Sequence, residues 1–135
     1  MAKTLWDFEG CWQLERSISD HMSKTSTQFI GRAELTRDAL GLSYAEKGIL
    51  TVGDITIPAE RKYLWRRTTG AIEVFFDDGR PFHSFEPKVS CVAEHWCDPD
   101  HYKVVYDFHK WPVWQTVWTV IGPRKNYVMS SYYIR

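Results

Sequence analysis

The stretch AIEVFFDDGRPFHSFE, residues 71–86, decides the fold class of this chain. Two short runs of β-branched and aromatic residues flank Asp78-Gly79, a pair that favours a type I′ turn between antiparallel strands. That turn type requires positive φ at both central positions. The stretch therefore predicts a β-hairpin with strands at about 71–77 and 81–86.

The same pattern continues in both directions from this hairpin. Gly or Pro signals interrupt the apolar runs about every ten residues, a spacing typical of β-sandwiches and barrels. We expect roughly nine or ten strands, at about 8–18, 27–37, 41–51, 57–67, 71–77, 81–86, 89–97, 101–109, 114–121 and 125–135. Because an open sheet exposes two edges, the prediction is an all-β fold, a single antiparallel up-and-down β-barrel domain over residues 1–135.

The composition narrows the class of protein. The chain has 17 basic and 17 acidic residues, so it lacks the positive field that concentrates nucleic acid or an anionic membrane surface. It has no run of 18 apolar residues and no signal-peptide pattern, and its three cysteines argue against a secreted disulfide framework. These observations predict a cytoplasmic protein without nucleic-acid or membrane partners, and they leave the oligomeric state open.

Period-two alternation assigns an inward face to each strand. It puts small side chains where a filled barrel needs larger ones, at Gly31, Ala33, Gly48, Ala59, Cys91 and Ala93. The same faces carry four ionisable residues, Arg16, Glu46, Arg61 and His95. Because isolated charges are not buried without partners or water, we expect a wet cavity that holds a small molecule.

The best candidate ligand contacts are Arg61, Tyr63, Tyr44 and Glu46, which two neighbouring strands bring to one wall of that cavity. Arginine offers a bidentate fork for a carboxylate or phosphate, and tyrosine adds a neutral donor. We therefore expect a ligand with an anionic or hydrogen-bonding group and take Arg61 as its anchor. The alternative is a buried Arg61–Glu46 ion pair that only rigidifies the barrel.

Five further residues complete the candidate site: Arg16 on the first strand, Trp118 on the face taken as inward in 114–121, and His83, His95 and Tyr106 on the wall opposite Arg61. A lone histidine on an apolar face is as well explained by a hydrogen-bonded core residue. One strand face carries His95, Cys97 and Cys91, and alternate residues on a strand can bind the same metal ion. The alternative is that the cysteines are simply small buried residues. No metal is predicted, and the cofactor is left open.

The segment Phe8-Glu9-Gly10-Cys11-Trp12 resembles the G-x-W signature of the lipocalin and fatty-acid-binding superfamily. The chain ends Tyr132-Tyr133-Ile134-Arg135, a terminal strand with an arginine. If this strand pairs antiparallel with the first one, Arg135 lies near Trp12 and forms the arginine–tryptophan stack of that superfamily. The resemblance thus implies a lipocalin-like (calycin) barrel.

A longer set of motifs resembles a family of small bacterial proteins known only as a domain of unknown function. These motifs are Asp78-Gly79-Arg80-Pro81-Phe82-His83, His95-Trp96-Cys97-Asp98-Pro99-Asp100, Trp118 and Gly122-Pro123-Arg124-Lys125. The family is similar in outline to nitrobindin and brings a fold but no established activity. The similarity to nitrobindin makes His83 or His95 a candidate haem ligand, but neither position matches nitrobindin closely enough to transfer that role.

Three hypotheses for the function follow. The first is a small-molecule-binding barrel anchored by Arg61. The second is a lipocalin-like enzyme acting on a small carboxylate, in which Glu46 is the acid/base and Tyr44 or Tyr63 orients the substrate. The third is a protein-interaction module whose outward aromatic residues include Trp96 and Trp111. The sequence does not identify the ligand.

Overall fold

Ten antiparallel β-strands form one sheet in the structure, a computed structural model that describes residues 4–135. The strands are β1 (Gly10–Asp20), β2 (Thr25–Arg37), β3 (Gly41–Val52), β4 (Ile55–Thr68), β5 (Ala71–Phe76), β6 (Pro81–Phe85), β7 (Ser90–Cys97), β8 (Asp100–Asp107), β9 (Trp114–Gly122) and β10 (Lys125–Ile134). A short 3₁₀ helix, Leu5–Phe8, precedes β1. The predicted all-β fold is confirmed. No helix in the described residues is long and apolar enough to cross a membrane.

The first and last strands lie side by side in the middle of the sheet, whose order is β6-β5-β4-β3-β2-β1-β10-β9-β8-β7. β1 pairs with β10 from Gln13 opposite Ile134 to Asp20 opposite Tyr127. The edge strands β6 and β7 contact each other, but no ladder joins them within residues 4–135. β6 is short and begins with Pro81, which has no N–H to donate. The barrel is therefore nearly closed, with one seam.

The hairpin between β5 and β6 is confirmed, but its predicted turn type is wrong. Gly79 has positive φ, 91°, whereas Asp78 does not, so the two central positions of a type I′ turn are not formed. Instead, the Gly79 N–H donates to the Phe76 carbonyl (2.9 Å) and the Phe76 N–H donates to the Arg80 carbonyl (2.9 Å). The Asp78 carboxylate accepts the Arg80 N–H at 3.1 Å, which stabilises this wider loop.

An aromatic cluster fills one end of the barrel, and Phe8 lies at its centre. Five rings pack on Phe8 with centroids 5.1–6.3 Å away: Trp65, Phe85, Phe108, Trp111 and Trp114. Trp111 therefore packs into the barrel end, and its prediction as an outward aromatic is wrong. The 3₁₀ helix places Phe8 and Leu5 against the strand ends, where both are buried. This end of the barrel is closed.

Trp12 anchors the closed end to both chain termini. It is fully buried and donates its indole N–H to the Phe8 carbonyl at 3.0 Å. The Arg135 guanidinium lies 4.0 Å from the centroid of the Trp12 ring and donates to the carbonyls of Glu9 and Asp7, both at 2.8 Å. The predicted stack of arginine on tryptophan is confirmed, because β10 pairs with β1 as expected.

The small inward residues do not create the interior cavity, contrary to the sequence-based argument. None of the six small residues is in the cavity wall. Gly31 pairs directly with Gly48 across β2 and β3, and a Cβ at Gly48 would lie 2.6 Å from Cζ of Phe29. The Phe29 ring therefore fills the space above Gly48, so the missing side chain there leaves no void.

Candidate functional site

A cavity of about 90 Å³ lies inside the barrel, and its wall is mostly aromatic. The aromatic lining residues are Tyr44, Tyr63, Trp65, Phe82, Tyr102, Tyr106, Trp114, Trp118, Tyr127 and Tyr133. Pockets that hold drug-sized ligands measure about 300–1,000 Å³. The cavity therefore suits a much smaller molecule, or one that extends beyond it.

The structure brings eight of the nine candidate contacts together in this wall: Arg16, Tyr44, Glu46, Arg61, Tyr63, His83, Tyr106 and Trp118. His95 is the exception. Its ring contacts Phe82, with centroids 5.2 Å apart, and also contacts Phe76 and Tyr102. Strand alternation places His95 on the inward face, but its neighbour Phe82 lines the cavity and His95 does not.

A network of hydrogen bonds crosses the buried part of the site around Glu46. Arg16 forms a bidentate ion pair with Glu46, at 2.6 Å from Nη1 to Oε2 and 3.0 Å from Nη2 to Oε1. Arg16 Nε donates to the Ser131 hydroxyl at 2.7 Å. The Tyr44 hydroxyl donates to Glu46 Oε1 at 2.6 Å and lies 2.9 Å from the Tyr133 hydroxyl. Both carboxylate oxygens therefore have partners.

Arg16, not Arg61, is the ion-pair partner of Glu46, so the alternative of a buried Arg61–Glu46 pair is wrong. Burial favours neutral groups, but the hydrogen bonds from Arg16 hold the pKa of Glu46 below its ordinary value. Burial likewise opposes the charge on Arg16, yet the bonds to Glu46 raise its pKa. The pair stays ionised at neutral pH, and its two charges cancel.

Arg61 is exposed and also lines the cavity, so the cavity reaches the surface at this residue. We call this the open end. In the described part of the chain, no hydrogen bond or ion pair joins the Arg61 side chain to another group. Its positive charge favours the ionised form of Glu46 and of Tyr127, which also lines the cavity. The open end therefore carries an uncompensated positive charge.

Two residues that line the cavity each have a buried polar atom without a hydrogen-bond partner within residues 4–135: Nδ1 of His83 and Nε1 of Trp114. The other ring nitrogen of His83, Nε2, lies 2.7 Å from the Tyr106 hydroxyl. The Trp114 ring stacks on Tyr133 with centroids 3.7 Å apart. Most buried polar groups are hydrogen-bonded to protein or to ordered water, and these two atoms have almost no accessible surface, so the cavity does not reach them.

Trp114 was not among the predicted site residues. The two faces of 114–121 are nearly equal in polarity, so the inward assignment there depended on Trp118 alone. Trp114 lies four residues before Trp118 and therefore shares its face. That shared face was the signal in the sequence, and the structure confirms that both rings line the cavity.

The metal and haem hypotheses gain no support from the geometry. Within residues 4–135, no three His, Cys, Asp or Glu side chains come close enough to hold a metal ion. Cys97 is exposed, whereas Cys91 is half-buried. In addition, Nε2 of His83 is already hydrogen-bonded to the Tyr106 hydroxyl.

We expect His83 to make the protein less stable in weak acid. Burial, with a smaller contribution from His95, lowers the pKa of His83 from 6.5 to about 3. Between these two values the unfolded chain binds a proton that the folded protein does not, so stability falls as the pH falls below 6.5. From pH 7 to pH 5 this amounts to a loss on the order of 2 kcal/mol.

Chemical denaturation of the wild type and His83→Gln at these two pH values measures this loss. Glutamine cannot titrate, so the variant should lose about 2 kcal/mol less than the wild type. The matched control is His21→Gln, because His21 is exposed. Equal losses in the wild type and His83→Gln would show that His83 is not held neutral by the fold.

Comparison with known families identifies one whose model matches almost the whole chain. The model of a family of unknown function, DUF6314, matches residues 8–135. The chain belongs to this family. The resemblance to a family known only as a domain of unknown function is thus confirmed, and DUF6314 membership brings no activity with it. No curated protein matches the sequence.

Two solved structures have a fold similar to that of this DUF6314 chain. One is an S-type phycobiliprotein lyase from Guillardia theta, with a TM-score of 0.55 and 10% sequence identity, covering 97% of this chain and 89% of the lyase chain. The other is a protein of unknown function from the DUF3598 family of Nostoc punctiforme, with a TM-score of 0.59 and 9% identity, covering 98% of this chain and 48% of that chain. At these identities the likeness shows the fold alone.

Proposed function

We propose that the barrel binds a small molecule in its interior cavity, and that this molecule has an anionic or hydrogen-bonding group. The observation that carries the proposal is the Arg61 guanidinium, which lines a mostly aromatic cavity and has no hydrogen bond or ion pair within residues 4–135.

Arg61 supports an anionic group on the ligand. Its guanidinium is an uncompensated charge at the open end, and arginine binds carboxylates and phosphates through two parallel hydrogen bonds. Tyr63, two residues further along β4, also lines the cavity, and its hydroxyl has no hydrogen-bond partner in the described residues. The likeness to a phycobiliprotein lyase is compatible with ligand binding in such a barrel.

The enzyme alternative has less support because of the state of Glu46. An acid/base group works best with a pKa near the working pH and a free oxygen to exchange the proton. The pKa of Glu46 is lowered, and Arg16 and Tyr44 occupy both of its carboxylate oxygens. The interaction-module hypothesis retains one of its two named aromatic residues, because Trp111 packs into the closed end whereas Trp96 is exposed.

The Arg61→Met variant tests the anchor. Native mass spectrometry of the protein purified from its own host identifies the bound compound, and the quenching of tryptophan fluorescence then measures its Kd. Because Arg61 is exposed, loss of its contact with an anionic group should cost about 1 kcal/mol, so Arg61→Met should weaken binding about fivefold. Methionine fills a similar volume without leaving a charge behind, so the fold should persist.

Arg32→Met is the matched control for this experiment. Arg32 lies exposed on β2, away from the cavity wall, and the substitution removes the same charge. We expect the control to bind within about twofold of the wild type. If Arg61→Met also binds as tightly as the wild type, the proposed anchor is wrong.

A further inference from the structure

We infer that the ligand is an amphipathic anion whose aliphatic chain leaves the cavity and lies along the inner face of the hairpin formed by β3 and β4. This inference rests on the proposed function and names the chemical class of the ligand. Three observations carry it: the small size of the cavity, exposed aliphatic side chains on the inner face of this hairpin, and the position of Arg61 on the same face of β4.

The cavity is too small to enclose a whole ligand of ordinary size. Its volume is about 90 Å³, whereas an engineered cavity that binds benzene measures about 150 Å³. A volume of about 90 Å³ corresponds to about three water molecules, which is room for a carboxylate group. Arg61 lies where the cavity reaches the surface. The larger part of the ligand therefore lies outside the cavity, at the open end.

The hairpin of β3 and β4 extends past its neighbour β5 at the open end. The ladder between β3 and β4 continues to Val52 opposite Ile55. In the described part of the chain, β5 pairs with β4 only from Thr68 to Tyr63. β5 has 6 residues, whereas β4 has 14. Residues 55–62 of β4 therefore have no strand beside them on the β5 side.

The inner face of this part of the hairpin is aliphatic and exposed. Leu50 is opposite the buried core residue Phe29, and Ile57 is opposite Leu50, so all three share the inward face. Val52 and Ile55 form the next pair on that face. Ile57 is 47% exposed and Ile55 is 62% exposed. We call Leu50, Val52, Ile55 and Ile57 the aliphatic strip.

The composition of the aliphatic strip indicates the kind of group that covers it. Aliphatic side chains on the inner face of a barrel are normally buried, so exposed ones in a contiguous group indicate an apolar binding partner. The strip contains no aromatic ring on which a flat group could stack. An alkyl chain therefore suits it better than an aromatic ring.

Arg61 assigns a negative charge to the end of that chain. Ile55, Ile57, Ala59 and Arg61 alternate along β4 and so share its inward face. At about 3.3 Å per residue, Ile57 lies about 13 Å and Ile55 about 20 Å from Arg61 along the strand. Arg61 has no ion pair within residues 4–135. An anionic head group at Arg61 thus places an attached chain on the aliphatic strip.

A series of straight-chain carboxylates tests this assignment: butyrate, hexanoate, octanoate and decanoate, each titrated below its micelle concentration and followed by NMR of the ligand-free protein. A fully buried methylene group is worth about fourfold in affinity. The aliphatic strip covers one side of the chain, so we expect about twofold per methylene, and decanoate should bind about sixtyfold more tightly than butyrate. Decylammonium, with the opposite charge, should bind at least about fivefold more weakly than decanoate.

Two matched double variants locate the chain. Ile55→Thr with Ile57→Thr should reduce the advantage of decanoate over butyrate to less than about tenfold and leave the affinity for butyrate unchanged. Threonine keeps the branched Cβ that suits a strand, so the fold should persist. The control is Ile30→Thr with Ile49→Thr, because these isoleucines are opposite each other on the outer face and are 66% and 44% exposed. The control should keep the full advantage of decanoate.

Arg61→Met separates the head group from the chain. It should weaken the binding of butyrate and of decanoate by the same factor, about fivefold, because it removes only the contact with the carboxylate. If decanoate binds within about threefold of butyrate, or if the outer-face control loses as much as the strip variant, the inference is wrong. Binding of butyrate that depends on Arg61 would then leave the proposed function standing.

Two further measurements test other occupants of the aliphatic strip. A dimer in light scattering that dissociates in the Ile55→Thr, Ile57→Thr variant would show that a second copy covers the strip. Phosphatidylcholine vesicles that bind the wild type but not this variant would show that a membrane surface covers it. Either result overturns the inference. If no carboxylate binds and no compound co-purifies, both the inference and the proposed function are overturned.

Discussion

Replacement of Trp12 with alanine is expected to lower the free energy of unfolding by about 3–5 kcal/mol, the range for large aromatic residues removed from a core. Trp12 is fully buried, its indole N–H donates to the Phe8 carbonyl, and its ring lies under the Arg135 guanidinium. Alanine leaves a cavity, an unsatisfied carbonyl and a cation without its aromatic partner. All three effects act at the closed end of the barrel.

Urea denaturation of Trp12→Ala and of the control Trp96→Ala measures this effect. Trp96 is 62% exposed on the outer face of β7, so its loss should change stability by less than about 0.5 kcal/mol. A loss below about 1 kcal/mol in Trp12→Ala would show that the closed end of the barrel does not depend on this residue.

Replacement of Arg16 with methionine should be comparably costly, about 3–5 kcal/mol. The substitution leaves the Glu46 carboxylate, 2% exposed, without its bidentate partner. A double variant, Arg16→Met with Glu46→Gln, removes the charge as well and should recover a large part of the loss. The control is Lys47→Met, which removes an exposed pair with Glu60 and should cost less than about 1 kcal/mol.

The pH dependence of Arg16→Met gives this prediction a second measurement. In the wild type the pKa of Glu46 is lowered, so the pair contributes stability above the ordinary carboxyl pKa and loses it as the pH falls through the folded value. Without Arg16, burial favours protonated Glu46, so the deficit of the variant should shrink as the pH falls from 7 towards 5. If the deficit is constant over this interval, or the double variant recovers nothing, Glu46 is not the group that Arg16 stabilises.

The local sequence pattern was sufficient to predict the strands and their inward faces, because side chains alternate with a period of two within each strand. Trp12, Tyr44 and Glu46 were all placed inward by alternation, and all three are buried. The pairing of β1 with β10 followed from the need to protect sheet edges. The type of the turn at Asp78-Gly79 was beyond this reasoning, because the backbone hydrogen bonds of Phe76 decide it.

Alternation does not predict how far an inward side chain extends across the barrel or which side chain it contacts there. Glu46 on β3 and Arg61 on β4 are directly opposite each other in the ladder, yet Glu46 forms its ion pair with Arg16 on β1. The Arg16 guanidinium passes over Phe29, with 5.3 Å to the ring centroid, and so crosses β2 to reach its partner. Arg61 stays unpaired at the open end as a result, and this is the feature on which the proposed anchor depends.

The sequence by itself determined the all-β class, the number of strands, the inward faces and the arginine–tryptophan stack. Each of these depends on local periodicity or on the pairing of the two chain ends. Only the tertiary structure decided where the interior space lies. The Phe29 ring fills the position of Gly48, whereas the larger rings of Phe82, Trp114 and Trp118 surround the cavity. Interior volume depends on how side chains from different strands pack against one another, and residue size along one strand does not contain that information.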